Sequence, residues 1–279
     1  MTERPGTLYV VATPLGNLED VTLRALRVLR EVNLVACEDT RRTAGLLKAH
    51  GIVTPTTSYF EHNERWKGAQ VLDVIRRGGD VALVSDAGTP GISDPGYRLV
   101  RDARAEGLSV VPIPGPSAAV AALSVSGLPT DRFLFVGFLP ARSGARRAAL
   151  EELATARETL VFYESPVRAL ASLEDMRQAL GDRPAFLCRE ATKLHEEYRR
   201  GTLSELRAHL AGRKEVRGEI VLVVGGAAEE PPAATETAEA LFARLTAEGR
   251  TRREAVKAVA RALGLPAREV YRRVLQEGQ

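Results

Sequence analysis

Short runs rich in β-branched and aliphatic residues alternate with helical patterns from residue 7 to about residue 126, and this alternation restricts the fold more than any other feature. Thr7–Ala12 reads as a strand. Thr22–Val32 follows, with Leu23, Leu26, Leu29 and Val32 at helical spacing. Then come strand-like Leu34–Cys37, helical Arg41–His50, strand-like Val53–Ser58 and a helix over Ala69–Arg77. Val81–Ser85 is a strongly apolar strand, Tyr97–Glu106 a helix, Val110–Ile113 a strand and Ser117–Ser126 a helix of small residues. Unbroken βα alternation predicts a mostly parallel sheet covered on both faces.

Gly127–Pro129 marks a break, and the spacing of elements changes after it. Phe133–Gly137, Thr159–Tyr163, Ala185–Arg189 and Glu219–Val224 read as strands. Helical segments near Arg146–Ala154, Val167–Leu180 and Leu203–Leu210 separate them. The expected organisation is an N-terminal α/β subdomain over 1–127, a second α/β subdomain over 128–226, a linker over 227–234 and a helical domain over 235–279. The linker is expected from its composition, GGAAEEPPAA over 225–234. The tail has three short helical patterns, Thr235–Ala247, Thr251–Leu263 and Ala267–Leu275, and its last two resemble a helix-turn-helix.

Composition narrows the class. Aliphatic runs such as Val81–Val84 and Ile220–Val224 are too short to span a bilayer, and no apolar leader precedes the first strand, so no membrane partner and no signal peptide are expected. The two cysteines, Cys37 and Cys188, each sit in or beside an apolar run. They read as buried small hydrophobes in a reducing compartment, here the cytoplasm. The formal net charge is +3, and residues 235–279 carry all of it, with nine Lys/Arg against six Asp/Glu. Such localised charge is either a solvated helix face or a surface for a polyanion.

The chemistry-bearing features are loops after strands, because open α/β sheets bind ligands at the carboxyl ends of their strands. The first strand runs into Thr13-Pro14-Leu15-Gly16-Asn17. The Val81 strand runs into SDAGTPGISDPG over Ser85–Gly96, and the Val110 strand runs into Pro112-Ile113-Pro114-Gly115-Pro116-Ser117-Ala118. Glycine lets backbone approach a ligand and proline fixes a loop before binding. One such loop would simply turn a corner; three at corresponding strand ends argue for a site. The sequence lacks G-x-x-x-x-G-K-[ST], G-x-G-x-x-G and H-E-x-x-H, which argues against a P-loop hydrolase, a dinucleotide fold and a zinc protease. His62 and His195 have carboxylates nearby in sequence but no ligand spacing, so no metal is expected.

The Ser85–Gly96 run resembles the signature of the ribosomal RNA small-subunit methyltransferase I family, cytidine 2′-O-methyltransferases of the tetrapyrrole-methylase fold. The likeness extends through Leu8–Asn17, EDTRR (Glu38–Arg42), HNE (His62–Glu64), Pro112–Ala118, LPTDRF (Leu128–Phe133), GFLP (Gly137–Pro140), FYES (Phe162–Ser165), REATK (Arg189–Lys193) and GEI (Gly218–Ile220). It therefore covers residues 6 to 226, and the pattern around Gly249–Tyr271 is similar to that family's small C-terminal helical domain.

The resemblance implies two α/β subdomains with S-adenosylmethionine in the cleft between them, and a homodimer acting on ribosomal RNA or the small ribosomal subunit. By position it implies cofactor contacts from Pro14 and Leu15, from Asp86, Ala87, Gly88, Thr89 and Pro90 with Ile92 behind them, and from Ser117 and Ala118. Tyr163, Glu164, Gly218, Glu219 and Ile220 would face these from the second subdomain. A ribose hydroxyl needs a base or a polariser before it attacks. The expected candidates are Lys193 and the carboxylates Asp39, Glu164 and Glu190. A lysine base would need its pKa lowered, by burial or by a neighbour such as Arg189. Contact with phosphate is the other role open to Lys193. Arg41 and Arg42 are expected to grip RNA phosphate or the dimer partner, and Arg252, Arg253, Arg272 and Arg273 to bind RNA from the tail. Two other readings stay open: a methylase of the same fold acting on a tetrapyrrole intermediate, and a non-catalytic RNA-binding protein.

Overall fold

A computed structural model describes residues 4–228 and 237–276. Two compact units are present, Met1–Ala227 and Ala228–Gln279. Residues 229–234 of the expected linker, and 235 and 236 of the expected first tail helix, lie outside the described residues.

The first half of the larger unit runs β1 (Thr7–Val11), α1 (Leu23–Glu31), β2 (Leu34–Cys37), α2 (Thr40–Ala49), β3 (Thr56–Ser58), α3 (Glu64–Arg76), β4 (Val81–Val84), α4 (Tyr97–Ala105), β5 (Ser109–Ile113) and α5 (Ala118–Val125). The strands form one sheet in the order β3-β2-β4-β1-β5, and every pairing is parallel. Central β4 explains why its sequence is aliphatic throughout. Val81 and Leu83 enter the core beneath α3 and α4, whereas Ala82 and Val84 enter the core beneath α1 and α2. A strand covered on both faces needs apolar residues at both parities.

The second half runs β6 (Phe133–Phe138), α6 (Ser143–Glu151), β7 (Thr159–Glu164), α7 (Ala169–Leu180), β8 (Pro184–Arg189), β9 (Glu197–Thr202), α8 (Leu203–Ala211) and β10 (Ile220–Val224). Its sheet has the order β6-β7-β10-β8-β9, with β6 parallel to β7 and the other pairs antiparallel. Central β10 repeats the logic of β4. Ile220, Leu222 and Val224 pack towards α6–α8, while Val221 and Val223 face Ala119, Ala122 and Leu123 of α5. The helix that closes the first half thus covers the second sheet and joins the two halves.

Two departures from the sequence reading have local causes. β9, EYRRGT, is an edge strand pairing only with β8; its polar residues give no apolar alternation to read. α3 begins at Glu64 rather than near Ala69, because Trp66 stays 55% exposed in its first turn and breaks the apolar period.

The smaller unit packs α9 (Ala238–Ala247), α10 (Arg252–Leu263) and α11 (Ala267–Gln276) around Leu241, Leu245, Ala255, Val256, Val259 and Val270. A reciprocal capping box between Thr251 and Glu254 starts α10. Gly264, at φ 62°, ends it in the left-handed conformation and lets α11 turn back.

Candidate active site

The three Gly/Pro loops follow β1, β4 and β5, which are adjacent in the sheet. Their ends therefore meet, and hydrogen bonds stitch them together. Thr13 N donates to Gly88 O at 2.9 Å, and Gly88 N donates back to Thr13 O at 3.0 Å. Thr13 Oγ1 donates to Ser85 O at 3.1 Å, and Thr89 Oγ1 to Pro116 O at 3.2 Å. Gly88 sits at φ 83°, and a Cβ there would lie 3.4 Å from Leu15 Cδ2, so backbone itself forms this part of the wall.

Between these loops and the second sheet lies a cleft of about 310 Å³, within the size range of small-molecule sites. Leu15, Asp86, Ala87, Gly88, Thr89 and Ile92 line it from the β1 and β4 loops, and Ser117 and Ala118 from the β5 loop. Tyr163, Glu164, Glu219 and Ile220 line it from the second sheet. Pro14 instead lines a neighbouring depression with Thr13, Gly16 and Leu46; Pro90 is buried, and neither it nor Gly218 is part of the lining. Tyr163 bridges the halves: its hydroxyl accepts a hydrogen bond from Ala119 N at 3.3 Å, and Phe135 and Phe138 clamp its ring edge-on.

The candidate catalytic residues differ in what they can do. Glu164 is 2% exposed and turned under α7. Its carboxylate accepts from Ser165 N, Ser172 Oγ and the Arg168 guanidinium, so it anchors the turn after β7 rather than facing a substrate proton. Asp39 caps α2 and pairs with Arg41 at 2.9 Å; hydrogen bonds from Arg41 bring its carboxyl down to about 2, leaving it a weak base outside the cleft lining. Lys193 Nζ donates to Glu190 Oε1 at 2.8 Å and to Glu219 Oε2 at 3.0 Å. Burial opposes the ammonium charge, but these two carboxylates outweigh it and raise the lysine above its ordinary value. Lys193 is thus held as a cation between two carboxylates, without the lowered pKa that a lysine base would need. Arg189, expected to depress it, is engaged with Glu197 at 2.7 Å. Burial would raise Glu190, but the Lys193 ammonium and Glu219 N lower it, so Glu190 is also committed.

Lys193 reaches across to the first loop. A Cβ on Gly16 would lie 2.3 Å from Lys193 Cγ, so only glycine leaves room for the lysine stem. Backbone strain marks the same neighbourhood: Ser93, Glu190 and Thr192 are the described non-glycine residues at positive φ.

Arg42 belongs to the cleft lining and pairs with Asp86 at 3.3 Å; Arg41 is exposed on Asp39. Sequence reading passed over Ser93, Asp94, Phe138, Cys188 and Ala191, which also line the cleft. Ser93 and Asp94 were in view within the Ser85–Gly96 run, whereas Cys188 and Ala191 carry no polar signal. Burial pushes the Cys188 thiol up to about 11, which rules it out as a nucleophile at neutral pH. Among the described residues, no group of three His, Cys, Asp or Glu is arranged to hold a metal ion, and no helix is long and apolar enough to cross a membrane.

In the smaller unit, Arg252, Arg253, Lys257, Arg268 and Arg272 line one open groove with Tyr271. Arg273 is outside that lining and pairs with Glu269 at 2.6 Å.

Residues 7–207 match the model of the tetrapyrrole (corrin/porphyrin) methylases. The ribosomal RNA small subunit methyltransferase I of Halalkalibacterium halodurans is 48% identical over 98% of this chain and 96% of its own length. The chain belongs to this methyltransferase family. The Pseudomonas aeruginosa relative of the same name is 53% identical over 79% of each chain. Among solved structures, a cobalt precorrin-4 methyltransferase superposes with a TM-score of 0.59 at 17% identity, covering 78% of this chain and 94% of that one; it shares the fold. The family match ends at residue 207, before β10 and the smaller unit.

Proposed function

We propose that the chain transfers the methyl group of S-adenosylmethionine to the ribose 2′-hydroxyl of a cytidine in small-subunit ribosomal RNA. The observation that carries the reading is the meeting of three Gly/Pro loops from adjacent strands in one cleft, in a chain whose near-full-length relatives are named as ribosomal RNA small subunit methyltransferases. The residues present suit the cofactor. A glycine-built wall, apolar Leu15, Ile92 and Ile220, and the strand-end backbone of Ser117 and Ala118 match a nucleoside held mainly by main chain. When bound, S-adenosylmethionine supplies a methyl carbon already activated by a sulfonium.

The protein's contribution is positioning and charge. Thr89, tied to Pro116, keeps the β4 and β5 loops at fixed spacing before anything binds. Tyr163 fixes the distance between the walls. Lys193 offers a cation at the cleft edge, and phosphate contact is the role its charge state supports. Arg41 and Arg42 hold surface ion pairs with Asp39 and Asp86 that can exchange for phosphate at little cost. The groove of the smaller unit adds a sequence-independent phosphate contact. A homodimer is supported by exposed apolar Phe133 and Leu134 on edge strand β6. A ribosomal RNA substrate implies a cytoplasmic protein, in keeping with two free, buried cysteines.

The test uses small ribosomal subunits lacking the modification, incubated with labelled S-adenosylmethionine and mapped for the labelled nucleotide. Label on one cytidine ribose supports the reading. Label on no RNA, with transfer to a tetrapyrrole acceptor instead, would replace it.

A further inference from the structure

The first half of the larger unit carries five aromatic side chains, Tyr9, Tyr59, Phe60, Trp66 and Tyr97. Tyr59 is buried in the core, but Phe60, Trp66 and Tyr97 are 37%, 55% and 68% exposed. Trp66 is the only tryptophan of the chain. A single exposed apolar side chain is ordinary, whereas a group of them on adjoining segments marks a surface with a use. These three lie on the loop between β3 and α3, in the first turn of α3 and at the start of α4, and α3 and α4 are joined there through Glu64, which pairs with Arg98.

We propose that this edge is a stacking surface for unpaired nucleotides of the RNA beside the ribose that is methylated, a role that rests on the reaction proposed above. The loop that carries it is held in shape before anything binds. Buried Asn63 accepts from Phe60 N at 2.8 Å through its side-chain oxygen and donates to Ser58 O at 3.3 Å through its amide nitrogen. The His62 ring meets Phe60 edge-on, with centroids 6.4 Å apart. Lys67 Nζ donates to Thr57 Oγ1 at 3.0 Å and lies over the Trp66 ring, 4.8 Å from its centre, which steadies the indole. The surface also continues into the cleft. Glu64 Oε1 accepts from Gly96 N at 3.1 Å, at the end of the loop after β4, and exposed Ile92 of that loop lines the cleft. The His62-Asn63-Glu64 run, which the cleft lining does not include, is thereby explained: Asn63 shapes the aromatic loop and Glu64 ties it to the cleft loop.

The charge on this edge favours RNA over a second copy of the chain. Arg65 is exposed and makes no ion pair among the described residues, and Lys67 and Arg98 add two further cations. Of the two acids in the stretch, Glu64 is engaged by Gly96 N and Arg98, which leaves Glu61 as the exposed one. The cores of protein–protein interfaces are depleted of charge. Surfaces for single-stranded nucleic acid instead interleave aromatic faces with cations, because each base has a face to stack and each phosphate a charge to neutralise. Stacking of this kind tolerates any base, so the surface grips and places the strand and leaves the choice of nucleotide to the cleft.

The lone indole reports on its own surroundings. Trp66 emission of the whole protein is followed during titration with a single-stranded oligocytidylate of about eight nucleotides, and with an RNA duplex of the same length. Affinity for the labelled single strand is then measured by anisotropy over a range of salt for wild type, Trp66→Ala, Trp66→Phe and Phe60→Ala. The single strand is expected to quench Trp66 and the duplex to leave it unchanged. Trp66→Ala should lower affinity ~10-fold and Phe60→Ala ~5-fold, while Trp66→Phe stays within ~3-fold of wild type. The slope against log salt should be the same for wild type and Trp66→Ala, because stacking releases no counterions. Absent quenching, equal quenching by the duplex, or a Trp66→Ala affinity within about twofold of wild type overturns the surface. Emission that changes with protein concentration and not with RNA also overturns it, in favour of a contact between copies of the chain. Quenching by a protein that labels no ribose would remove the reaction proposed above and keep an RNA surface; ribose labelling without quenching would keep the reaction and remove the surface.

Discussion

The two walls of the cleft are made of different materials. The wall from the first sheet is main chain: paired amides and carbonyls between Thr13 and Gly88, and hydroxyls of Thr13 and Thr89 bound to carbonyls of the neighbouring loops. The wall from the second sheet is closed at its edge by side-chain charge, with Lys193 between Glu190 and Glu219. Main chain is set when the sheet forms and does not titrate. Charged side chains can exchange partners and respond to pH. The difference suggests a division of labour, with a pre-formed wall for the donor and an adjustable edge for a polyanionic acceptor.

The largest expected effect comes from breaking the main-chain wall. Gly88→Val places a β-branched side chain at φ 83° and against Leu15, so donor affinity should fall ~10- to 100-fold by calorimetry. Affinity within twofold would mean that this wall does not hold the donor. Lys193→Met keeps the stem against Gly16 and removes only the charge. Single-turnover transfer should fall about tenfold while donor affinity shifts less than ~3-fold, since a charge-assisted contact to the acceptor is lost. Equal losses in both measurements would erase the distinction between the walls.

Smaller effects sharpen the same contrast. Replacing Arg252, Arg253 and Arg272 by alanine should reduce the slope of RNA affinity against log salt by roughly 2 to 3 and leave donor affinity alone. An unchanged slope would detach the smaller unit from RNA. The pH behaviour of the charged edge follows from its shifts. Glu190 is lowered, so its contribution is present above the ordinary glutamate value and lost as pH falls towards its lowered one. Lys193 is raised, so its contribution is present below the ordinary lysine value and lost as pH rises through the raised one. Asp94 has the opposite sign from Glu190. With its carboxyl raised to about 6, folding opposes its ionisation, and stability declines from about pH 4 to about pH 6. Asp94→Asn should therefore raise Tm at pH 7.5 by roughly 2–4 °C, and a lower Tm would contradict the reading of its surroundings.

The same contrast decides what could be read in the sequence. Val81–Val84 and Ile220–Val224, two wholly aliphatic runs, are the central strands of the two sheets, because only strands covered on both faces are apolar at both parities. The main-chain wall was legible too, since glycine and proline report on backbone directly. The charged edge was not. Lys193, Glu190 and Glu219 are separated by up to 29 positions, and nothing local says that two carboxylates would raise the lysine instead of burial lowering it. Glu164 lines the cleft, as its chain position suggests, but that Arg168 and Ser172 engage its carboxylate could not be read from sequence.

The most direct measurement is a crystal structure of the protein with S-adenosylhomocysteine, the demethylated donor. The product is expected between the β1, β4 and β5 loops, against Gly88 and Ser117. Density for it outside this cleft, or a cleft left empty at saturating concentration, would contradict a main-chain wall built for the donor.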